Sequence, residues 1–300
     1  MTTPGRETDG RGAVVVTGAS TGIGEASVLY LDGLGFHVFA GVRRVEDGER
    51  LRAAAPRITP VIIEVTDPAS IAAAAATVQQ ALGDRAGGGL AGLVNNAGIA
   101  LTGPLEFIEV DRVRRQFEVN FFGHLAVTKA FLPEIRRAQG RVVNMSSMAG
   151  RVAPPFYGPY TASKHALEAA SDALRGELAP WGIHVSIVEP GAIDTPIWAK
   201  GMAFAHEAID ALPPHGRALY QRMLQPALDS VEAQATRGVS PEQVARAVGH
   251  ALTAKRPKVR YVVGRDARIA TLGRRLLPDR VMDRLLWRRI GLPGRGTLRD

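Results

Sequence analysis

The chain has 300 residues, 46% hydrophobic and 22% charged, the composition of a globular protein with ample apolar side chains for a core. Its 37 basic and 29 acidic residues leave a net charge of +8, but residues 255–300 carry +10 and the rest −2, so the body is close to neutral and nucleic-acid binding is not expected. The absence of cysteine excludes disulfides, thiolate nucleophiles, iron–sulfur clusters and cysteine-ligated zinc, and the seven histidines show no paired spacing such as HExxH, so no metal is expected.

Residues 1–11 are polar and glycine-rich and read as a loose tail without a signal core. No later stretch reaches about 18 uninterrupted apolar residues. The expectation is a cytoplasmic protein with no transmembrane span. Short apolar runs then alternate with helical stretches: a strand at 13–17, a helix at 22–34 and a strand at 37–42 make a βαβ unit. Further strands are expected at 60–65, 92–95, 140–146, 184–188 and 260–263, with helices at 68–82, 110–138 and 160–179. Seven strands separated mostly by helix-length segments predict one α/β domain over 12–265. The expected fold is a Rossmann-type, doubly wound, seven-stranded parallel sheet with helices on both faces. Residues 196–239, rich in bulky apolar groups around Pro213 and Pro214, are expected to form a substrate lid. Residues 266–300 read as a basic amphipathic extension, with Val281, Met282, Leu285 and Leu286 beside Arg284 and Arg288. It could pack on the body, meet another subunit or make peripheral contact with an anionic membrane; packing is the simplest reading.

The first strand runs into Thr17-Gly18-Ala19-Ser20-Thr21-Gly22-Ile23-Gly24. Here Gly18 permits a tight turn, Gly22 leaves room for a close ligand and Gly24 lets the helix approach the sheet, while backbone amides and the helix dipole can hold a diphosphate. The spacing is neither GxGxxG nor a P-loop, and taken singly it is also compatible with a plain tight connection. Far downstream, Tyr160 and Lys164 share one helical face. Ser147 lies thirteen positions before Tyr160, at the end of a strand, and Asn120 lies in the preceding helix.

The glycine spacing, Asn95-Asn96-Ala97-Gly98 after the fourth strand, Tyr160-xxx-Lys164, and Pro190-Gly191 after the sixth strand resemble the short-chain dehydrogenase/reductase family over residues 12–265. The resemblance implies a catalytic tetrad of Asn120, Ser147, Tyr160 and Lys164. It implies a nucleotide held by Gly18, Ser20, Thr21, Gly22, Ile23 and Gly24, by Glu64 and Val65, by Asn96, Ala97 and Gly98, and by Tyr160 and Lys164. Pro190, Gly191, Ile193 and Thr195 would hold the nicotinamide end. Glu64 stands where the family commonly has aspartate, and Asp67 is a second acid nearby.

The residue types suit carbonyl chemistry. Reduction places hydride on carbon and a proton on oxygen, so a positioned hydroxyl acid is required. A free tyrosine has a pKa of about 10, which Lys164 is expected to lower. Ser147 would orient the substrate oxygen, and Asn120 would keep a relay water and the lysine in place. Ser146 would face the opposite way from Ser147. Tyr157 has Thr161 where a lysine is needed and reads as a pocket wall. There is no GxSxG for a serine hydrolase, and a nucleotide-sensing protein without catalysis has no need of all four tetrad residues.

Nucleotide choice rests on Gly41-Val42-Arg43-Arg44. No acid stands at Val42 to bind a ribose 2′-hydroxyl, and Arg43 and Arg44 can pair with a 2′-phosphate, so NADP(H) is favoured over NAD(H). Met148, Phe156, Tyr157, Trp198 and Met202 are expected to form an apolar substrate pocket. Residues 38–41 and 141–181 are similar to family members acting on steroids and retinoids, which makes a lipophilic alcohol or carbonyl the expected substrate. The family also implies a homodimer or homotetramer built through 110–138 and 160–179.

Overall fold

A computed structural model describes residues 11–83, 88–236, 238–294 and 296–297 of the chain; residues 1–10 of the expected tail lie outside them. Seven strands, β1 (Ala13–Val16), β2 (His37–Val42), β3 (Ile58–Ile62), β4 (Leu90–Asn95), β5 (Arg141–Met145), β6 (His184–Pro190) and β7 (Arg260–Val263), form one parallel sheet. Their order is β3-β2-β1-β4-β5-β6-β7. β1, β2, β4, β5 and β6 are nearly all buried, as a parallel sheet covered on both faces requires, while the edge strand β3 buries Ile58 and Val61 and exposes Ile62.

Alternate residues feed two cores. Val14, Val16, Val38 and Ala40 pack with α1 (Gly22–Gly33) and α9 (Pro241–Thr253), while Val15 and Phe39 pack with α3 (Pro68–Leu82) and α5 (Gly123–Ala138). The winding reverses between β1 and β4, and this opens a crevice beyond the carboxyl ends of the strands.

Four local differences from the sequence reading matter. The third strand ends at Ile62, which places Glu64 and Val65 in the loop beyond it. The stretch 110–138 is not one regular helix: α4 (Val110–Phe117) passes through a π turn at Glu118–Phe122 before α5, and Asn120 lies in that turn. Helices α2 (Val45–Ala54) and α9 were not anticipated. The C-terminal extension is two helices, α10 (Arg265–Leu276) and α11 (Asp279–Arg289), because Pro278 forces Leu277 into an extended conformation. Ala270 of α10 and Met282 of α11 pack with Val152, Met148 and Leu286.

The segment expected to form a lid folds as α7 (Ile197–Asp210) and α8 (Pro214–Thr236). Tyr220 of α8 meets Phe107 edge-on at 5.8 Å and donates its hydroxyl to Glu106 Oε2 at 3.0 Å. Among the described residues no helix is long and apolar enough to cross a membrane.

Candidate active site

The glycine turn sits where β1 meets α1. Gly18 and Gly22 have φ of +62° and +59°, and the Ala19 amide donates to Gly41 O at 2.9 Å, tying the turn to β2. Asn96 Nδ2 donates to Thr17 O and to Gly18 O, each at 3.0 Å, and Thr17 Oγ1 accepts from the Asn96 and Ala97 amides. Asn95 points the other way, donating to Thr128 Oγ1 and Asn144 Oδ1 inside the protein. Thr21 makes no side-chain cap for α1, so the first amides and the positive helix end can serve an anion. These features fit the diphosphate of a dinucleotide.

Past the end of β2, Arg43 is 69% exposed, with Nη1 3.9 Å from Glu64 Oε2. Glu64 Oε1 accepts from the Thr66 amide and hydroxyl, and Val65 is buried beside it. Arg44 is held in a two-pronged pair with Asp47 at 3.0 Å. Asp67 accepts from the Ala69 amide and so caps α3. Arg50, on α2, pairs with Glu25 and donates to Ser20 O at 2.6 Å. With α2 unanticipated, no sequence signal placed Arg50 at the turn.

Tyr160 lies in the first turn of α6 (Gly158–Leu178), and Lys164 follows one turn later. Ser147 faces the Tyr160 phenol closely enough to lower its pKa, accepts from the Ala149 amide at 3.1 Å and donates to Pro190 O at 3.4 Å. Ser146 is buried on the opposite face, toward Gly150. Lys164 Nζ donates to Met145 O at 2.8 Å and lies 5.9 Å from the Tyr160 ring centroid. Asn120 receives the Ile99 amide at 2.9 Å and donates to Ile99 O and Ser163 Oγ. It thus fixes the backbone just past Gly98; Asn120 Oδ1 and Lys164 Nζ both border the open side of that glycine.

Burial dominates the electrostatics. It pushes the Tyr160 phenol above its ordinary value, and the Ser147 hydrogen bond offsets this only in part. The expected lowering by Lys164 is not seen; the contribution that opposes burial comes from Ser147. Burial brings Lys164 down to about 8, with the Glu168 carboxylate acting against it.

His124 is fully buried in the first turn of α5, with Nε2 2.7 Å from Ala97 O. Burial, and secondarily Lys164, depress its pKa to about 3, against the Ala97 hydrogen bond. Between pH 6.5 and about 3 the unfolded chain therefore holds a proton on this group that the folded chain lacks. Its stability contribution is complete above pH 6.5 and is lost on acidification, with a slope of about 1.4 kcal/mol per pH unit. Urea unfolding at a series of pH values should show a shallower acid slope for His124→Gln; equal slopes would contradict this.

At the end of β6, Pro190 and Gly191 turn the chain toward α7. Ile193 forms a bridge with Val239, and its carbonyl accepts the Trp198 indole N–H at 2.6 Å. The Thr195 methyl lies over Gly22, bringing this loop onto the glycine turn. Asp266, which sequence reasoning missed, accepts from the Ala192 amide at 2.8 Å and lies against Gly191. An acid opening an otherwise basic helix was the available signal, so the extension contributes to this wall.

An apolar pocket is lined by Phe156 and Tyr157 together with Thr102, Ala205, Ile209, Leu224, Leu228 and Ile290. Phe156 adopts a left-handed backbone at φ +68°, a strained state for such a residue. Met148, Trp198 and Met202 are not part of this lining: Met148 packs toward α10 and α11, Trp198 is committed to Ile193, and Met202 is half-buried on α7.

A parallel sheet that delivers a diphosphate cradle and a tyrosine–lysine pair to the same edge is the architecture of a Rossmann-type oxidoreductase. The profile of the short chain dehydrogenases matches residues 12–204, and the chain belongs to the short-chain dehydrogenase/reductase family, oxidoreductases acting on CH–OH groups. It is similar to the NADPH-dependent 3-dehydrocapnine reductase of Ornithobacterium rhinotracheale, at 35% identity over 91% of this chain and 95% of that protein. It is also similar to retinol dehydrogenase 5 of Mus musculus, at 38% identity over 91% of this chain and 87% of that protein. Among solved structures, a short-chain dehydrogenase from Streptomyces avermitilis matches with a TM-score of 0.75 and 30% identity, over 97% of this chain and all of the other.

Proposed function

We propose that the protein interconverts a lipophilic secondary alcohol and the corresponding ketone, or an alcohol and an aldehyde, using NADP(H) in preference to NAD(H). The observation that carries this reading is the meeting of Ser147 and the Tyr160 phenol, with Lys164 and Asn120 behind them, at the strand ends that bear the glycine cradle. The nucleotide, held along Gly18–Gly24 and Asn96–Gly98 and by the loop from Pro190 to Thr195, supplies or accepts hydride when bound. In reduction Tyr160 gives its proton to the carbonyl oxygen, and in oxidation it takes that proton back. Ser147 donates to the same oxygen and keeps it in line with the phenol. Lys164, with a pKa of about 8, is charged at neutral pH and favours the phenolate as it forms.

Arg43 supports the nucleotide preference: it is exposed past β2 and only loosely paired with Glu64, whereas Arg44 is engaged by Asp47. The similar dehydrocapnine reductase is NADPH-dependent. Arg43→Ala should weaken NADPH binding by roughly tenfold, the loss of one charged contact, and leave NADH binding nearly unchanged. Equal NADPH affinity in the two proteins, measured by nucleotide fluorescence, would remove Arg43 from the 2′-phosphate site. The apolar pocket supports a lipophilic substrate, as does the likeness to a retinol dehydrogenase. The same reading gives a homodimer or homotetramer joined through α5 and α6.

A panel of ketones, aldehydes and alcohols, each offered with both nucleotides, tests the proposal through the absorbance of the reduced nicotinamide. Faster turnover of lipophilic members with NADPH supports it. Turnover confined to NADH or to small polar carbonyls overturns the finer assignment.

A further inference from the structure

The two C-terminal helices hold a surface that the oxidoreductase reading does not use. α10 turns Ala267 and Ala270 inward, yet exposes Ile269, Leu272 and Leu276 by 62, 56 and 68%. These three positions follow i, i+3 and i+7, so they form one outward row. On α11, Met282 is buried while Val281 and Leu285, one turn apart, are exposed. Arginines edge both rows. Among the described residues Arg265, Arg268, Arg275, Arg284 and Arg288 have no acidic partner, whereas Arg274 pairs with Asp279. α10 and α11 carry eight arginines against three aspartates, within residues 255–300 that hold the chain's positive excess.

We propose that the outward faces of α10 and α11 dock on an anionic lipid bilayer, with the leucine and isoleucine row entering the headgroup boundary and the arginines on lipid phosphates. Apolar rows edged by arginine suit an interface that is apolar beneath and negative above. A second copy across a two-fold axis would set arginine against arginine. A nucleic acid would satisfy the arginines but leave the apolar rows in water. α11 leads directly to Ile290, which lines the apolar pocket. A docked protein would thus hold that pocket near the lipid phase, a consequence that rests on the lipophilic-substrate reading; the docking itself does not.

The test is sedimentation of the full chain with phosphatidylcholine vesicles, with and without phosphatidylglycerol. The protein should partition onto the phosphatidylglycerol vesicles at least about tenfold more strongly, and added salt should weaken that binding. A Leu272→Glu, Leu276→Glu double variant should lose binding while keeping its circular dichroism, nucleotide affinity and turnover of a water-soluble carbonyl. Arg268→Glu with Arg275→Glu, which leaves the apolar row intact, should lose the phosphatidylglycerol dependence. Equal binding to both vesicle types, or to neither, overturns the proposal. So does light scattering that shows an oligomer dispersed by Leu272→Glu, which would make the face a contact between copies. Carbonyl turnover reads the oxidoreductase proposal separately, so one can fail without the other.

Discussion

Replacing Gly24 with alanine is expected to abolish useful nucleotide binding. A Cβ at this position would lie 2.1 Å from Gly18 O and 2.7 Å from Asn96 Nδ2. The first is backbone and cannot rotate away, and the second already bonds Thr17 O and Gly18 O. Relief requires α1 to move off the sheet or the turn to open, and either shifts the amides at Thr21–Gly24 that the proposed function assigns to the diphosphate. Overpacking of this kind costs roughly 1–3 kcal/mol in stability. The loss in affinity should be larger, about a hundredfold or more, equivalent to about 2.7 kcal/mol. Titration by nucleotide fluorescence measures it, with thermal unfolding as the control for folding. Wild-type affinity in the variant would mean that the turn does not hold the nucleotide.

The parts of this protein that lie close together in sequence were the legible ones. The β2, α3 and β7 limits match the apolar runs and turn signals, because a doubly covered parallel sheet imprints short valine-rich strands between polar loops. Strand alternation allowed only one of Ser146 and Ser147 to face the cleft and the spacing to Tyr160 favoured Ser147; Ser146 is buried toward Gly150. Features set by tertiary approach were not legible. Arg50 reaches Ser20 only because α2 packs back beside the turn, and Asp266 reaches Ala192 from 74 positions away. The π turn at Asn120 leaves no periodic mark, since it changes one turn of an otherwise helical stretch. The pocket wall fared similarly. Apolar spacing in residues 196–239 could not tell Ala205 and Ile209, which line the pocket, from Trp198, which ties the loop together. The tyrosine's electrostatics were misjudged because charge proximity is visible in an i, i+4 pair, whereas burial is a property of the whole fold.

Tyr160→Phe removes one oxygen from a site whose other members keep their partners. Lys164 stays bonded to Met145 O, Asn120 to Ile99, and Ser147 to the Ala149 amide, so the cleft should hold its shape. The variant would lose the buried hydroxyl that the proposed function places against the substrate oxygen as negative charge develops. Its raised pKa, imposed by burial, makes this hydroxyl a proton donor throughout the neutral range. Loss of a positioned general acid typically slows turnover by roughly 10²–10⁴-fold, and no neighbouring group can substitute, since Ser147 alone is too weak an acid. The decisive measurement is single-turnover oxidation of bound NADPH by a carbonyl that the wild-type protein reduces, with nucleotide affinity measured on the same samples. The account predicts equal affinity and a hydride-transfer rate at least about a hundredfold lower in Tyr160→Phe; equal rates in the two proteins would contradict it.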